Sequence, residues 1–131
     1  MRAKLDISAA CHAAGKVPSH CVVTEFKDHK AIAMAARRAS RELGYTRMWS
    51  IHPAQILPIV EAFAPSVAEM DESIDIIAAA QAAHWAPIRH RDTLHDRASY
   101  RYYWQVILRA RRTGQPLPAQ VTEAFFGPQA A

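Results

Sequence analysis

The chain has 131 residues, of which 50% are hydrophobic and 21% charged, and its formal net charge is +4. This length allows one body with a real core and is too short for two full-sized domains. Two cysteines, Cys11 and Cys21, exclude a disulfide framework and are expected to be core thiols. No apolar run approaches the roughly 20 residues that span a bilayer. We therefore expect a cytoplasmic protein. Its positive charge indicates either binding of an anionic partner or simply a basic, solvated surface.

The first half of the chain alternates helical and β-branched patterns. A helix is predicted over residues 1–14, and the valine-rich stretch after it predicts a strand over 20–25. Asp28 is a suitable N-cap for a helix that runs to Leu43, and a second strand is predicted over 46–51. Strands separated by helix-length connections are typical of a parallel sheet.

The second half is predicted to be helical. A short helix over 54–63 is followed by the sequence SVAE at 66–69, a capping box that opens a helix ending near His84. Residues 85–96 are predicted to be a loop, and the last long helix to span 97–112. The whole chain is therefore expected to be α/β in class but mostly helical by residue count.

Aromatic and basic residues interleave in YRYYWQVILRARR, at 100–112. Such a segment can stack on and grip nucleic acid. Here, however, the aromatic residues fall largely on one side of the helix, which favours packing against the core or another subunit. The EAFF sequence at 123–126 forms a further small apolar patch that is expected to dock on another element.

Two parallel strands cannot bury both of their faces alone, so the chain is expected to belong to a larger α/β body or to pair with a copy.

The strand-to-helix segment IHPAQI, with FAPS behind it, resembles the HpcH/HpaI aldolase and citrate lyase β-subunit family. The matching pieces cover nearly the whole chain and are ACHAAGKVPSHCVVTEFKD (10–28), ELGYTRMWSIHPAQILPIVEAFAPS (42–66), and DTLHDRASYRYYWQVILRAR (92–111).

This resemblance implies the C-terminal fragment of a (β/α)8 TIM barrel, in which 20–25 and 46–51 are the last two parallel strands. Residues 1–65 would be the last βα units, and 66–131 a helical C-terminal extension that acts as lid and subunit contact. Such a barrel takes on the order of 250 residues. The chain is therefore expected to be a truncated gene product, a fragment or a split subunit. Family members use Mg²⁺, whose carboxylate ligands are expected on strands outside this chain, so no metal ligand is assigned here.

The resemblance also implies roles for individual residues. Ile51, His52 and Pro53 would line the acyl-CoA pocket, because barrel enzymes place ligand contacts at the carboxyl ends of strands. Alternatively, His52 bonds a neighbouring backbone group and fixes the turn. Asp96 would act from the lid as a general acid or base. Its position directly before a helix makes an N-cap the competing explanation.

Arginines in the segment 85–97 offer a second kind of contact. Arg89, Arg91 and Arg97 could bind CoA phosphates, because a guanidinium grips phosphate in a bidentate fork; a solvated basic loop is the alternative. A weaker zinc interpretation, without a compact ligand spacing, concerns His84, His90, Asp92 and His95.

Together these features predict part of a Mg²⁺-dependent carbon–carbon lyase or aldolase acting on a citrate- or malate-like acyl-CoA or a small oxo or hydroxy acid. The chain alone is expected to be inactive. Its expected partners are the substrate and either a second copy or the missing part of the barrel, without nucleic acid or membrane. The alternative is a non-enzymatic helical module that oligomerises through residues 97–112 and the EAFF segment. A third, weaker hypothesis is a basic protein that binds nucleic acid.

Overall fold

Helices and short strands alternate in the first half of the chain, in the order that the sequence predicts. The computed structural model describes residues 1–127. By its internal contacts the chain forms two compact units, Met1–Phe63 and Ala64–Ala131. The elements of the first unit are α1 (Arg2–Ala13), β1 (Ser19–His20), α2 (His29–Arg37) with a π-helical turn (Arg38–Glu42), β2 (Arg47–Met48), a 3-10 turn (Pro53–Gln55) and α3 (Ile56–Phe63).

β1 and β2 form a parallel pair, which confirms the predicted orientation. Ser19 lies opposite Arg47 and His20 opposite Met48. The predicted lengths, 20–25 and 46–51, are wrong, because each strand is only two residues long. A ladder hydrogen bond needs a partner strand, and within residues 1–127 each of these strands pairs only with the other.

The boundaries of α2 follow from its caps. The Asp28 carboxylate accepts hydrogen bonds from the amides of Lys30 and Ala31, both at 3.0 Å. Past the π-helical turn that continues α2, Gly44 has φ +70°, and a Cβ there would lie 3.2 Å from the Ser8 hydroxyl. Glycine meets both the positive φ and the close approach without strain. The N-cap predicted at Asp28 is confirmed.

The core of the first unit lies between α2 and α3 and under the strand pair. Its fully buried members come from the apolar stripe of α2, such as Ile32 and Ala36. The stripe recurs at helical spacing, which is why one face of α2 is buried and its arginines lie outside. The cluster consists of Ile32, Ala36, Ala39, Leu43, Tyr45, Met48, Ile59, Ala62 and Phe63.

The second unit is built on two long helices that pack against each other. Its elements are α4 (Val67–Ala82), β3 (Ile88–His90), β4 (Thr93–His95), α5 (Arg97–Arg112) and α6 (Ala119–Phe126). The predicted capping box is present at the start of α4, where the Ser66 hydroxyl accepts from the Glu69 amide and Glu69 accepts from the Ser66 amide. The last four residues of the predicted extension, 128–131, lie outside the described part of the chain.

The prediction of a loop over 85–96 is wrong, because β3 and β4 form an antiparallel hairpin there. Arg91 and Asp92 form its two-residue connection and both have positive φ, +45° and +63°, as in a type I′ turn. This turn usually carries asparagine or glycine, so Arg91-Asp92 gave no turn signal. The Arg89–Asp92 ion pair and a 3.8 Å contact from Arg91 to Asp75 accompany the turn.

α5 packs by its apolar side onto α4, which confirms that this side is used for packing. Tyr100 and Ile107 lie in the core with Ile76, Ile77 and Ala80. The EAFF patch belongs to α6 and docks on the same unit: the Phe126 ring lies 5.3 Å from the Trp104 ring, and the Arg111 guanidinium lies 4.5 Å over Phe126.

The two cysteines are not core thiols, contrary to the prediction. Cys21 is exposed and Cys11 only half-buried. Cys21 was expected inside a longer strand, but β1 ends one residue before it, at His20. Across residues 1–127, no helix combines the length and the apolar character that a membrane crossing requires.

Candidate functional site

The turn after β2 is fixed by His52 and Pro53. His52 has an extended backbone (φ −146°, ψ 139°) and caps the 3-10 turn, because its Nδ1 accepts a hydrogen bond of 3.1 Å from the Ala54 amide. Pro53 takes the first position of this turn, where no amide hydrogen is needed. The structural interpretation of His52 is thus confirmed, and its contact with a ligand stays a prediction. Ile51 is 61% exposed and available for contact.

Gln55 holds this turn against the segment that follows β1. Its side chain is only 1% exposed. The Gln55 Oε1 accepts a 2.9 Å bond from the Ile51 amide, and its Nε2 donates to the carbonyls of Val23 (2.7 Å) and Glu25. The sequence did not indicate a role for Gln55, because glutamine side chains are mostly exposed in proteins and nothing in the neighbouring residues signals that this one is buried.

These bonds define the carboxyl-end turn of the first unit, which is the region where the sequence places ligand contacts. The Ser50 hydroxyl closes it with a 3.0 Å bond to the His52 carbonyl, and the Phe26 ring lies 4.9 Å from the imidazole of His52. Hydrogen bonds within the turn and to the segment after β1 therefore hold its polar groups, while Ile51 is exposed.

The β3–β4 hairpin carries two of the three arginines predicted to bind CoA phosphates, Arg89 and Arg91, and Arg97 is the first residue of α5. Arg89 pairs with Asp92, and Arg91 lies 3.8 Å from Asp75. All four side chains are more than half exposed, so these pairs are weak and exchangeable. A phosphate could therefore displace the carboxylates, and the assignment of Arg89 and Arg91 stays a prediction.

Asp96 is the N-cap of α5. Its Oδ1 accepts from the amides of Ala98 (2.9 Å) and Ser99 (3.4 Å), and Ser99 completes a capping box by accepting from the Asp96 amide. Both capping bonds use the same oxygen. Because the second oxygen, Oδ2, is not engaged in the cap, the cap leaves one carboxylate oxygen for proton transfer. The cap is confirmed, and the catalytic role stays a prediction.

The residues that the structure describes do not form a magnesium or zinc site. In the part of the chain that the structure describes, no group of three or more histidine, cysteine, aspartate or glutamate side chains could hold a metal. His90 and His95 are close, with ring centroids 6.3 Å apart, but His95 also packs edge-on against Tyr103. The zinc interpretation of this segment therefore has no support.

His20 is a buried titratable group in β1. Lys4 Nζ lies 2.9 Å from its Nε2, and because an ammonium can only donate, Nε2 is the acceptor. The proton is then on Nδ1, 3.0 Å from the Cys21 carbonyl. Burial, and after it the charge of Lys4, lower the pKa of His20 below 6.5, while the Cys21 carbonyl raises it in part. In the second unit, burial above all raises the pKa of Tyr103.

The lowered pKa of His20 predicts that the chain is less stable in acid. Below pH 6.5 the imidazole of His20 is protonated more readily in the unfolded chain than in the folded chain. The contribution of His20 to stability is therefore fully present above pH 6.5 and decreases as the pH falls toward the folded-state pKa. We expect His20→Gln to flatten this decline, measured by urea unfolding between pH 5 and 7.5. The exposed His29→Gln is the control and should keep the wild-type slope. An unchanged slope in His20→Gln would contradict the assignment.

The solved citrate lyase of Burkholderia xenovorans LB400 is 60% identical to this chain, with a TM-score of 0.71 over 95% of it. The L-malyl-CoA/beta-methylmalyl-CoA lyase of Cereibacter sphaeroides is 37% identical over 81 residues, or 62% of this chain. The chain belongs to the HpcH/HpaI aldolase and citrate lyase β-subunit-like family. The resemblance predicted from IHPAQI and its neighbours is thereby confirmed.

The chain matches only part of a member of this family. It spans 25% of the Cereibacter lyase and 39% of the Burkholderia citrate lyase. CitE from Mycobacterium tuberculosis, solved with magnesium, acetoacetate and coenzyme A, has a TM-score of 0.66 over 82% of this chain and 40% of its own. It is 21% identical, so this likeness is one of fold. No protein-family model matches the chain.

Proposed function

We propose that this chain is the C-terminal part of a Mg²⁺-dependent carbon–carbon lyase that acts on a citrate- or malate-like acyl-CoA or a small oxo acid. The observation that carries the proposal is the 60% identity to a citrate lyase across 95% of the chain. The names of the curated relatives, which are malyl-CoA lyases, support a CoA thioester as substrate.

The proposed fold is the end of a (β/α)8 barrel, with residues 1–65 as its last βα units and 66–131 as a helical lid and subunit contact. The parallel β1–β2 pair supports this, because parallel strands joined by a helix are the repeating unit of such barrels. The exposed side chains of Trp49 and Ile51 support it further, since adjoining strands would cover them. The cytoplasmic location and a homo-oligomeric state stay predictions.

Within the proposed reaction, this chain supplies contacts and a proton-transfer group. The turn of Ile51, His52 and Pro53 would shape one wall of the acyl-CoA pocket, and Arg89 and Arg91 would meet its phosphates. The Oδ2 of Asp96 would move a proton to or from the carbon whose bond is made or broken. Asp96 is exposed in this chain, so the surrounding surface that tunes a catalytic carboxyl would come from other parts of the protein.

The described residues do not form a Mg²⁺ site, so any metal would be held by residues elsewhere. The alternative of a purely helical interaction module has less support, because α5 uses its apolar side for its own unit and α6 covers Trp104 there.

Fragment complementation tests the proposal. The 131-residue chain is expressed with the part of the Burkholderia citrate lyase that it does not cover, and Mg²⁺-dependent cleavage of malyl-CoA and citryl-CoA is followed by release of acetyl-CoA. We expect no turnover from the chain alone and measurable turnover from the pair. The positive control replaces this chain by the corresponding segment of the citrate lyase itself.

Either of two results would overturn the proposal. Turnover by the isolated chain would refute its dependence on other strands. An inactive pair, in a format where the positive control is active and this chain is folded by circular dichroism, would refute the lyase assignment.

A further inference from the structure

The second unit contains an open cavity of about 580 Å³ between the end of α4, the start of α5 and α6. Half of its lining residues are aromatic, two are arginines and none carries a carboxylate. The lining residues are Ile77, Gln81, Trp85, Arg97, Tyr100, Arg101, Trp104 and Phe125.

Two of the aromatic walls are held rigidly. The Tyr100 hydroxyl donates to the carbonyls of Ala86 (2.7 Å) and His95 (3.2 Å), and these hydrogen bonds hold the ring in place. Trp104 is held between Phe125 and Phe126, whose rings lie 6.0 and 5.3 Å away. A ligand would find these walls already in place, so little ordering cost opposes its binding.

The third wall, Trp85, is kept in position by an unusual backbone. His84 and Trp85 both have positive φ, +50° and +65°, without being glycine. Left-handed backbone is unfavourable for a bulky residue and persists only where the surroundings enforce it. Here the Trp85 amide donates to the Ala80 carbonyl at 2.7 Å, and the ring meets Tyr100 edge-on at 6.1 Å. The indole nevertheless remains 43% exposed at the cavity.

The charge of the cavity is uncompensated. Arg97 and Arg101 are one turn apart on α5, so both lie on the side of the helix that lines the cavity. Neither arginine makes an ion pair with a carboxylate among residues 1–127. The neighbouring Asp96 directs its Oδ1 to the amides at the start of α5 instead. Two guanidinium groups beside flat aromatic walls are complementary to a planar ring that carries an anionic group.

We propose that this cavity binds a small planar aromatic anion, with its ring against Trp85 and Trp104 and its carboxylate or phosphate on Arg97 and Arg101. The sequence also offers Arg97 as a contact for CoA phosphates, but the proposed lyase function relies on Arg89 and Arg91 instead. The aromatic walls and Arg101 have no part in it, so the two proposals can fail separately.

Calorimetric titration of the 131-residue chain tests the inference with three probes of one ring size: 2-naphthoate, 2-naphthyl phosphate and the neutral 2-naphthamide. We expect at least one of the two anions to bind, at least about tenfold more tightly than the amide, because a hydrogen bond to a charged group contributes that much. The ratio between the two anions then identifies the preferred anionic group.

Matched variants locate the binding. Arg97→Gln and Arg101→Gln should each weaken the better anion by about tenfold, and Arg112→Gln, which makes the same charge change on α5 outside the cavity, should not. Trp85→Leu should weaken all three probes while leaving the preference for the anion. The inference is overturned if the amide binds as tightly as both anions, if neither anion binds at millimolar concentration, or if the cavity variants, folded by circular dichroism, match Arg112→Gln.

Discussion

Gln55→Glu is expected to lower the free energy of unfolding of the first unit by about 2–4 kcal/mol. The side chain is 1% exposed, and its Nε2 donates to the carbonyls of Val23 and Glu25. A carboxylate in this place has no hydrogen to donate, so its oxygen would face two carbonyl oxygens in a buried site. Burying an unpaired charge adds to the cost of the lost hydrogen bonds.

A second variant separates the lost bonds from the buried charge. Gln55→Met keeps nearly the same length and volume but leaves the Ile51 amide and two carbonyls without their partner. We expect it to be destabilising as well, by about 1–3 kcal/mol, and its effect should not depend on pH. The effect of Gln55→Glu should shrink in acid, where the glutamate becomes a neutral donor.

Urea unfolding followed by circular dichroism gives both values. Gln105→Glu, at an exposed position of α5, is the control and should change stability by less than about 0.5 kcal/mol. If Gln55→Glu unfolds at the same urea concentration as Gln105→Glu, the side chain of Gln55 does not hold the turn.

The helices could be predicted from the sequence because their signals are local. Asp28, the Ser66–Glu69 box and Asp96 act within a few residues of themselves, and each is found as the cap that the sequence indicates. The apolar spacing of α2 and α5 likewise sets which side of each helix is buried, whatever lies further along the chain.

The strands were harder to predict because a strand is completed by residues distant in sequence. The valine-rich 20–25 stretch has high β propensity, but only Ser19 and His20 find a partner in β2. Beyond them, the carbonyls of Val23 and Glu25 are satisfied by a side chain, that of Gln55. The β3–β4 hairpin was missed for the opposite reason, since Arg91 and Asp92 adopt positive φ without the usual turn residues.

Residue type and position were sufficient to predict the caps of the candidate site but not what surrounds them. For His52 and Asp96, the structural roles left open by the sequence are present: each accepts a hydrogen bond from a backbone amide. Whether such a residue also contacts a substrate depends on the groups brought against it from elsewhere in the protein. Local sequence carries no information about these groups, so the catalytic assignments need an experiment that separates the two roles.

Asp96→Asn separates these roles in the complemented enzyme described above. Asparagine is as good an N-cap as aspartate, because its side-chain oxygen accepts the same amide bonds. It cannot exchange a proton as a carboxylic acid does. We therefore expect the melting temperature to stay close to that of the wild type while kcat falls by about 10²- to 10⁴-fold, the usual contribution of a general acid or base.

Asp96→Ala and Ser66→Ala complete the comparison. Each removes an N-cap and should cost about 1 kcal/mol of stability. Ser66 caps α4 and has no proposed chemical role, so Ser66→Ala should keep kcat, whereas Asp96→Ala should lose as much activity as Asp96→Asn. If Asp96→Asn retains wild-type kcat, its carboxylate transfers no proton, and the residue serves α5 alone. If Asp96→Ala and Ser66→Ala instead lose kcat to the same extent, activity depends on helix stability. The two variants are equally destabilised, so only a chemical role of Asp96 makes their kcat values differ.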